Sequence, residues 1–103
     1  MTTPLTITPG RLQDGTPLLK ATGEIDMSNS DLLASALAAA PDRIVIDLTA
    51  IEYLDSAGLN ILFTHASHIE LIAGDLLAPV LTMSGLADLV TVHETPDPPA
   101  TTA

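Results

Sequence analysis

The run Asp55-Ser56-Ala57-Gly58-Leu59 holds the residues whose types and spacing could do chemistry. Ahead of it, Ile44-Val45-Ile46 is an apolar β-branched run ended by Asp47, which reads as a buried strand followed by a polar turn. Behind it, Leu59, Leu62, Phe63 and Ala66 recur at i, i+3, i+4 and i+7, the period of a helix with one buried stripe. A strand feeding a helix through a short loop leaves Ser56 at the helix N-terminus, where unpaired backbone N–H groups and the positive dipole end converge. A hydroxyl in that place is suited to carry a phosphate. The alternative reading of that hydroxyl is a helix cap, accepting from a backbone N–H two or three residues on.

The neighbours of Ser56 also have two readings each. Asp55 either helps orient Ser56 or is simply a favourable charge at a helix start. Gly58 permits close approach of a partner or of a neighbouring strand; without that role it costs a helix about 1 kcal/mol against alanine. His65 and His68, at i and i+3, have a spacing that suits metal ligands, but no carboxylate or cysteine is spaced to complete a site. They read as solvated histidines, and no metal or other cofactor is expected. Glu52 and Asp55 form an acid pair of a kind used in glycoside hydrolysis, yet Tyr53 and Phe63 are the sole aromatic residues, too few to line a sugar site. A non-enzymatic protein is expected.

Composition narrows the partners. Three basic residues against thirteen acidic ones give a formal net charge of −10. Such a surface repels nucleic acid and anionic membranes, which bind through clustered Lys and Arg, and it disfavours free nucleotide. A basic protein surface suits it better. No apolar run reaches the length of a membrane span, no signal-peptide pattern opens the chain, and cysteine is absent, so the expectation is a cytoplasmic protein. With 103 residues, 47% hydrophobic and 2% aromatic, the chain suits one domain with an aliphatic core.

The elements that must position Ser56 follow in order. Leu5-Thr6-Ile7-Thr8 alternates as a first strand, Pro9-Gly10 and Asp14-Gly15 punctuate a turn region, and Leu18 to Thr22 forms a second strand of a hairpin. Gly23-Glu24-Ile25-Asp26 reads as a loop. Ser28-Asn29-Ser30-Asp31 resembles a capping box, so Ser28 reads as a cap and not as a second phosphoacceptor. Leu33, Ala36, Leu37 and Ala40 mark the helix behind it, stopped by Pro41. After the strand Arg43 to Asp47 and the helix at Ser56 comes a strand at Ile69 to Ala73. Asp75 is positioned to cap a third helix carrying Leu76, Leu77, Val80 and Leu81, with Pro79 in its first turn. Gly85 offers a left-handed helix end with Leu86 as its apolar contact, and Val90 to His93 is a last strand. The prediction is a single α/β domain over 1–93, a mixed β-sheet with flanking α-helices in the order β-β-α-β-α-β-α-β. A proline-rich tail over 94–103 is expected to be disordered.

Three pieces of this chain resemble the STAS domain, the family of bacterial anti-sigma factor antagonists. Ala21-Thr22-Gly23-Glu24-Ile25-Asp26 is similar to that family's "TGELD"-type element. Asp55-Ser56-Ala57-Gly58-Leu59, behind the strand at Ile44, is similar to its "DSSGL"-type phosphorylation motif. Met83-Ser84-Gly85-Leu86 is similar to its late "SGL" element. The pieces occur in the family's order across most of residues 5 to 93. Between Leu59 and Ser84 the chain is shorter than the family pattern by roughly two helical turns.

The resemblance implies a STAS-like fold and a function by partner switching. The unphosphorylated protein would bind an anti-sigma factor serine kinase and free a sigma factor. Phosphorylation of the serine matching Ser56 would release the kinase, and a serine phosphatase would reset the protein. Glu24, Asp26, Asp55, Ser56, Ala57 and Gly58 would form the partner-binding surface, although Glu24 and Asp26 read equally as acids that solvate a turn. A different class of function keeps the fold and drops the switch: a STAS scaffold module, never phosphorylated, docked in a larger regulatory assembly.

Overall fold

A computed structural model describes residues 4–40 and 43–94. Its elements are β1 (Thr6–Arg11), β2 (Pro17–Ile25), α1 (Ser30–Ala38), β3 (Ile44–Leu54), α2 (Ser56–Thr64), β4 (Ile69–Ile72), α3 (Ala78–Met83) and β5 (Val92–His93), with one-turn 3₁₀ segments at Ala66–His68 and Leu86–Asp88. The element order is the predicted one. The strands form a single sheet in the order β1-β2-β3-β4-β5, with β1 antiparallel to β2 and every later pair parallel. The proline-rich tail beyond residue 94, and Pro41, lie outside the described residues.

Several boundaries differ from the sequence reading, each for a physical reason. β1 runs on through Pro9 and Gly10, because an edge strand paired on one side tolerates a proline without an N–H. The predicted loop at Gly23-Glu24-Ile25 is the end of β2, and the predicted polar turn after Asp47 is the second half of β3. Both were obscured because the β2–β3 register shifts between Lys20 and Thr22 and again between Gly23 and Glu24, breaking the alternation that identifies a strand. Gly23 takes φ 104° at the second shift, a conformation that side chains rarely adopt. At the first shift Asp47, only 4% exposed, accepts from the Thr49 N–H at 2.9 Å and the Thr49 hydroxyl at 2.6 Å. Asp47 therefore stabilises an irregular strand and does not end it.

The core is aliphatic. Leu19, Ala21 and Ile25 of β2 and Ile44, Ile46 and Leu48 of β3 cluster with Leu33 and Leu37 of α1, Leu62 of α2 and Leu81 of α3. In α2 the deepest residues are Gly58 and Leu62, while Leu59 and Phe63 are half-buried, so the buried stripe is rotated from the predicted one. His65 caps the end of that helix and His68 lies in the following 3₁₀ turn, their rings edge-to-face at 5.1 Å. That short turn delivers the chain to β4.

Asp75 does not cap α3, whose N-cap position is Leu77 with no side-chain hydrogen bond, although Pro79 lies in the first turn as expected. The helix forms through burial. Leu77, Leu81 and Leu86 are all nearly inaccessible, and each fully buried leucine contributes about 1.5–3 kcal/mol against about 1 kcal/mol for a missing cap. Gly85, at φ 90°, takes the left-handed conformation expected of it, and Leu86 is fully buried. The last strand is two residues long and begins at Val92.

Candidate functional site

The site is built where β3 ends, α2 begins and β2 hands over to α1. The Asp55 N–H donates to the Ile25 carbonyl at 3.1 Å, tying the end of β3 to the end of β2. Asp55 is the N-cap of α2: Oδ1 accepts from the backbone of Ala57 at 2.9 Å and of Gly58 at 3.1 Å. Oδ2 accepts from the Met27 N–H at 3.1 Å, across from the turn that precedes α1. One carboxylate thus serves two elements at once.

That turn is an Asx-type structure in which short polar side chains close on the backbone. Asp26 Oδ1 accepts from the Ser28 N–H at 2.9 Å and from its hydroxyl at 2.5 Å. The Asp26 N–H donates to Asn29 Oδ1 at 3.0 Å, and Asn29 Nδ2 donates to the Glu24 carbonyl at 2.9 Å. The Ser28 hydroxyl, then the Ser28 N–H, hold the Asp26 carboxyl below its ordinary pKa, so it is a settled anion. Ser28 is therefore not the N-cap of α1. Asn29 takes that position without a side-chain cap bond, and the capping box expected at Ser28 and Asp31 does not form.

Ser56 is the first residue of α2 and is exposed. The amides expected to lie free beside it, those of Ala57 and Gly58, are occupied by Asp55. No side-chain hydrogen bond engages its hydroxyl among the described residues. Asp55, the adjoining acid, directs both oxygens to backbone N–H groups. Ala57 is half-buried beside Ser56. Gly58 is buried: a Cβ there would stand 2.5 Å from Ile25 Cγ2 and 2.6 Å from Leu54 Cδ1, so its missing side chain is what lets α2 settle on the ends of β2 and β3.

The structure thus gathers Asp26, Asp55, Ser56, Ala57 and Gly58 around one strand–helix junction, with Glu24 opposite Tyr53 in the β2–β3 register. It adds two residues the sequence did not single out. Met27 is 79% exposed on the turn held by Asp55, and Tyr53 is 51% exposed two residues before it. By type both suggest a core, and their exposure depends on a turn and a strand irregularity with no sequence periodicity. Among the described residues, no cluster of three His, Cys, Asp or Glu could hold a metal ion, and no helix is long and apolar enough to cross a membrane.

Comparison with known proteins gives these features a context. A family model described as "Mlab, STAS domain" matches residues 10–92. No curated protein matches the chain in sequence. Among solved structures, the chain is similar to an anti-sigma factor antagonist from Mycobacterium paratuberculosis, at 28% identity and a TM-score of 0.80 over 90% of this chain and 88% of that one. It shares its fold with the anti-sigma factor antagonist SpoIIAA in its unphosphorylated form, at 15% identity and a TM-score of 0.67 over 86% and 89% of the two chains. A protein with a SpoIIAA-like fold from Shewanella loihica is also similar, at 20% identity and a TM-score of 0.58 over 95% and 90%.

Proposed function

This chain belongs to the STAS-domain family, and from that premise we propose that it is an anti-sigma factor antagonist that switches partners through Ser56. The observation that carries the reading is the exposed hydroxyl of Ser56 at the first residue of α2, beside a cap it does not itself supply. The similarity to the Mycobacterium paratuberculosis antagonist supports the same role. In this reading the unphosphorylated domain binds an anti-sigma factor serine kinase and so frees a sigma factor for transcription. The Ser56 oxygen attacks the terminal phosphorus of ATP held by the kinase, ADP leaves, and the hydroxyl proton passes to a base of the kinase. A serine phosphatase hydrolyses the ester and restores the hydroxyl.

The physics of release is electrostatic. A phosphate adds about −1.5 to −2 charge. It would do so beside Asp55 and within a domain of formal net charge −10. Like-charge repulsion and the cost of burying a dianion weaken docking while the core stays as it is. Glu24, Asp26, Asp55, Ala57 and the exposed Met27 and Tyr53 form the contact surface, and Gly58 shapes it from beneath.

The test is incubation with a cognate kinase and ATP, with the phosphate located by mass spectrometry. Titration of the kinase with Ser56→Ala and Ser56→Asp follows. Phosphate at Ser56, retained binding by Ser56→Ala and at least about tenfold weaker binding by Ser56→Asp are expected. Phosphate elsewhere, or equal binding by both variants, defeats the switch. A scaffold module without a switch draws support from a different place: Leu76, Val80 and Met83, on and beside α3, are exposed apolar side chains suited to a constitutive contact. For that reading the two Ser56 variants bind alike.

A further inference from the structure

We propose that Asp55 is a clasp that couples the charge on Ser56 to the β2–α1 turn, so that phosphorylation loosens the segment presenting Met27 as well as adding repulsion. The inference rests on Ser56 being the modified residue and names how its modification is transmitted. The Asp55 carboxylate has two oxygens with separate tasks. Oδ1 holds the Ala57 and Gly58 amides, and Oδ2 holds the Met27 amide. A phosphate attached to Ser56 is a dianion next to that carboxylate and competes for the same helix-terminal amides. Both the repulsion and the competition act against the geometry in which Asp55 reaches Met27.

The turn is arranged so that losing this bond has a local consequence. Residues 26–29 are closed internally by Asp26, Ser28 and Asn29, and Asn29 also ties them back to β2 through the Glu24 carbonyl. Those bonds keep the turn's shape without joining it to α2. Among the described residues, the one side-chain bond across the junction is Met27 N–H to Asp55 Oδ2, spanning 28 positions of sequence. Releasing it frees the turn to move against α2 while the strand tie from Asp55 N–H to the Ile25 carbonyl persists. Met27, at 79% exposure, is the side chain a docked partner would feel move.

Asp55→Asn separates the two tasks. Asparagine caps a helix as well as aspartate does, so its oxygen can keep Ala57 and Gly58. Its amide nitrogen would then face the Met27 N–H, donor against donor. Asp55→Ser serves as a second variant, since one hydroxyl oxygen cannot reach both elements.

The experiment is amide hydrogen exchange on the full chain, with phosphoserine installed at position 56 during synthesis so that no kinase is needed. Phosphoserine is expected to speed Met27 exchange about tenfold, the equivalent of one charge-assisted hydrogen bond, while the Ile46 amide in β3 is unchanged. Asp55→Asn and Asp55→Ser should produce the same acceleration without phosphate, and phosphoserine added to either should produce no more. Unchanged Met27 exchange with phosphoserine, unchanged exchange in both variants, or accelerations that multiply would each overturn the clasp. Failure of every kinase to modify Ser56 would defeat the proposed switch and leave this measurement intact.

Discussion

β3–α2 and β4–α3 are successive strand–helix units on the parallel side of one mixed sheet, and they are stabilised in opposite ways. β3 has 11 residues and α2 has 9, against 4 for β4 and 6 for α3. Each helix is preceded by an aspartate. Asp55 caps its helix and reaches a second element, whereas Asp75 is exposed and caps nothing. Each junction carries a glycine as well. A Cβ on Gly58 would strike Ile25 and Leu54, but one on Gly74 would meet nothing within 4 Å. The first junction is specified by polar side-chain geometry and close contact, the second by burial of Leu77, Leu81 and Leu86. Asp55 caps its helix with its own backbone held by the neighbouring strand, through the bond from its N–H to the Ile25 carbonyl.

The glycines give the largest expected contrast. Gly58→Ala forces a methyl against Ile25, a β-branched side chain with little rotamer freedom, at a cost near the top of the overpacking range of about 1–3 kcal/mol. Helix propensity returns about 1 kcal/mol, leaving a net loss of about 2 kcal/mol. Gly74→Ala should change stability by less than about 0.5 kcal/mol. Urea denaturation of the two variants decides it, and equal midpoints would mean the junctions are packed alike. Next in size are the acids. Asp55→Ala removes a cap and the Met27 bond and should cost about 1–3 kcal/mol, while Asp75→Ala should fall within about 0.5 kcal/mol of the parent. A comparable loss from Asp75→Ala would erase the distinction drawn between the units.

The same contrast explains what was readable in the sequence. The order of elements, the place of Ser56 at a helix start, Gly85 and its partner Leu86 all follow from local patterns of period, breaker and small residue. So does the acidic, aliphatic character of the domain. The length of β3 does not, because its irregular pairing with β2 interrupts the alternation over residues 48–54. Nor does the cap. Asp55 and Ser56 are both good N-cap residues, and Asp55 takes the position because β2 holds its backbone there. The Met27 bond joins positions far apart in sequence and could not be read from spacing. Asp75 and Ser28 are the reverse case, a favourable local pattern left unused by the tertiary structure.

The smallest expected effect probes the charged side of the comparison. In the β3 unit the buried acid Asp47 is satisfied by neutral Thr49, whereas in the β4 unit Glu70 pairs with the Arg43 guanidinium and hydrogen-bonds the ring of His93 at 3.0 Å. The hydrogen bond from His93, then that from Arg43, lowers the Glu70 pKa from its ordinary 4.5. A carboxylate whose pKa is lower in the folded state contributes stability above its unfolded pKa and loses it as pH falls through the folded one. The Glu70 contribution is therefore present at neutral pH and disappears below about 4.5. Because the pair is partly solvated, its size is that of a surface ion pair, about 0.2–1 kcal/mol. Glu70→Gln should be less stable than the parent at pH 7 by that amount, with the difference shrinking toward pH 3 and on adding salt. Chemical denaturation at the two pH values measures it, and a difference that grew on acidification would mean that β4 and β5 are not held together by this charge.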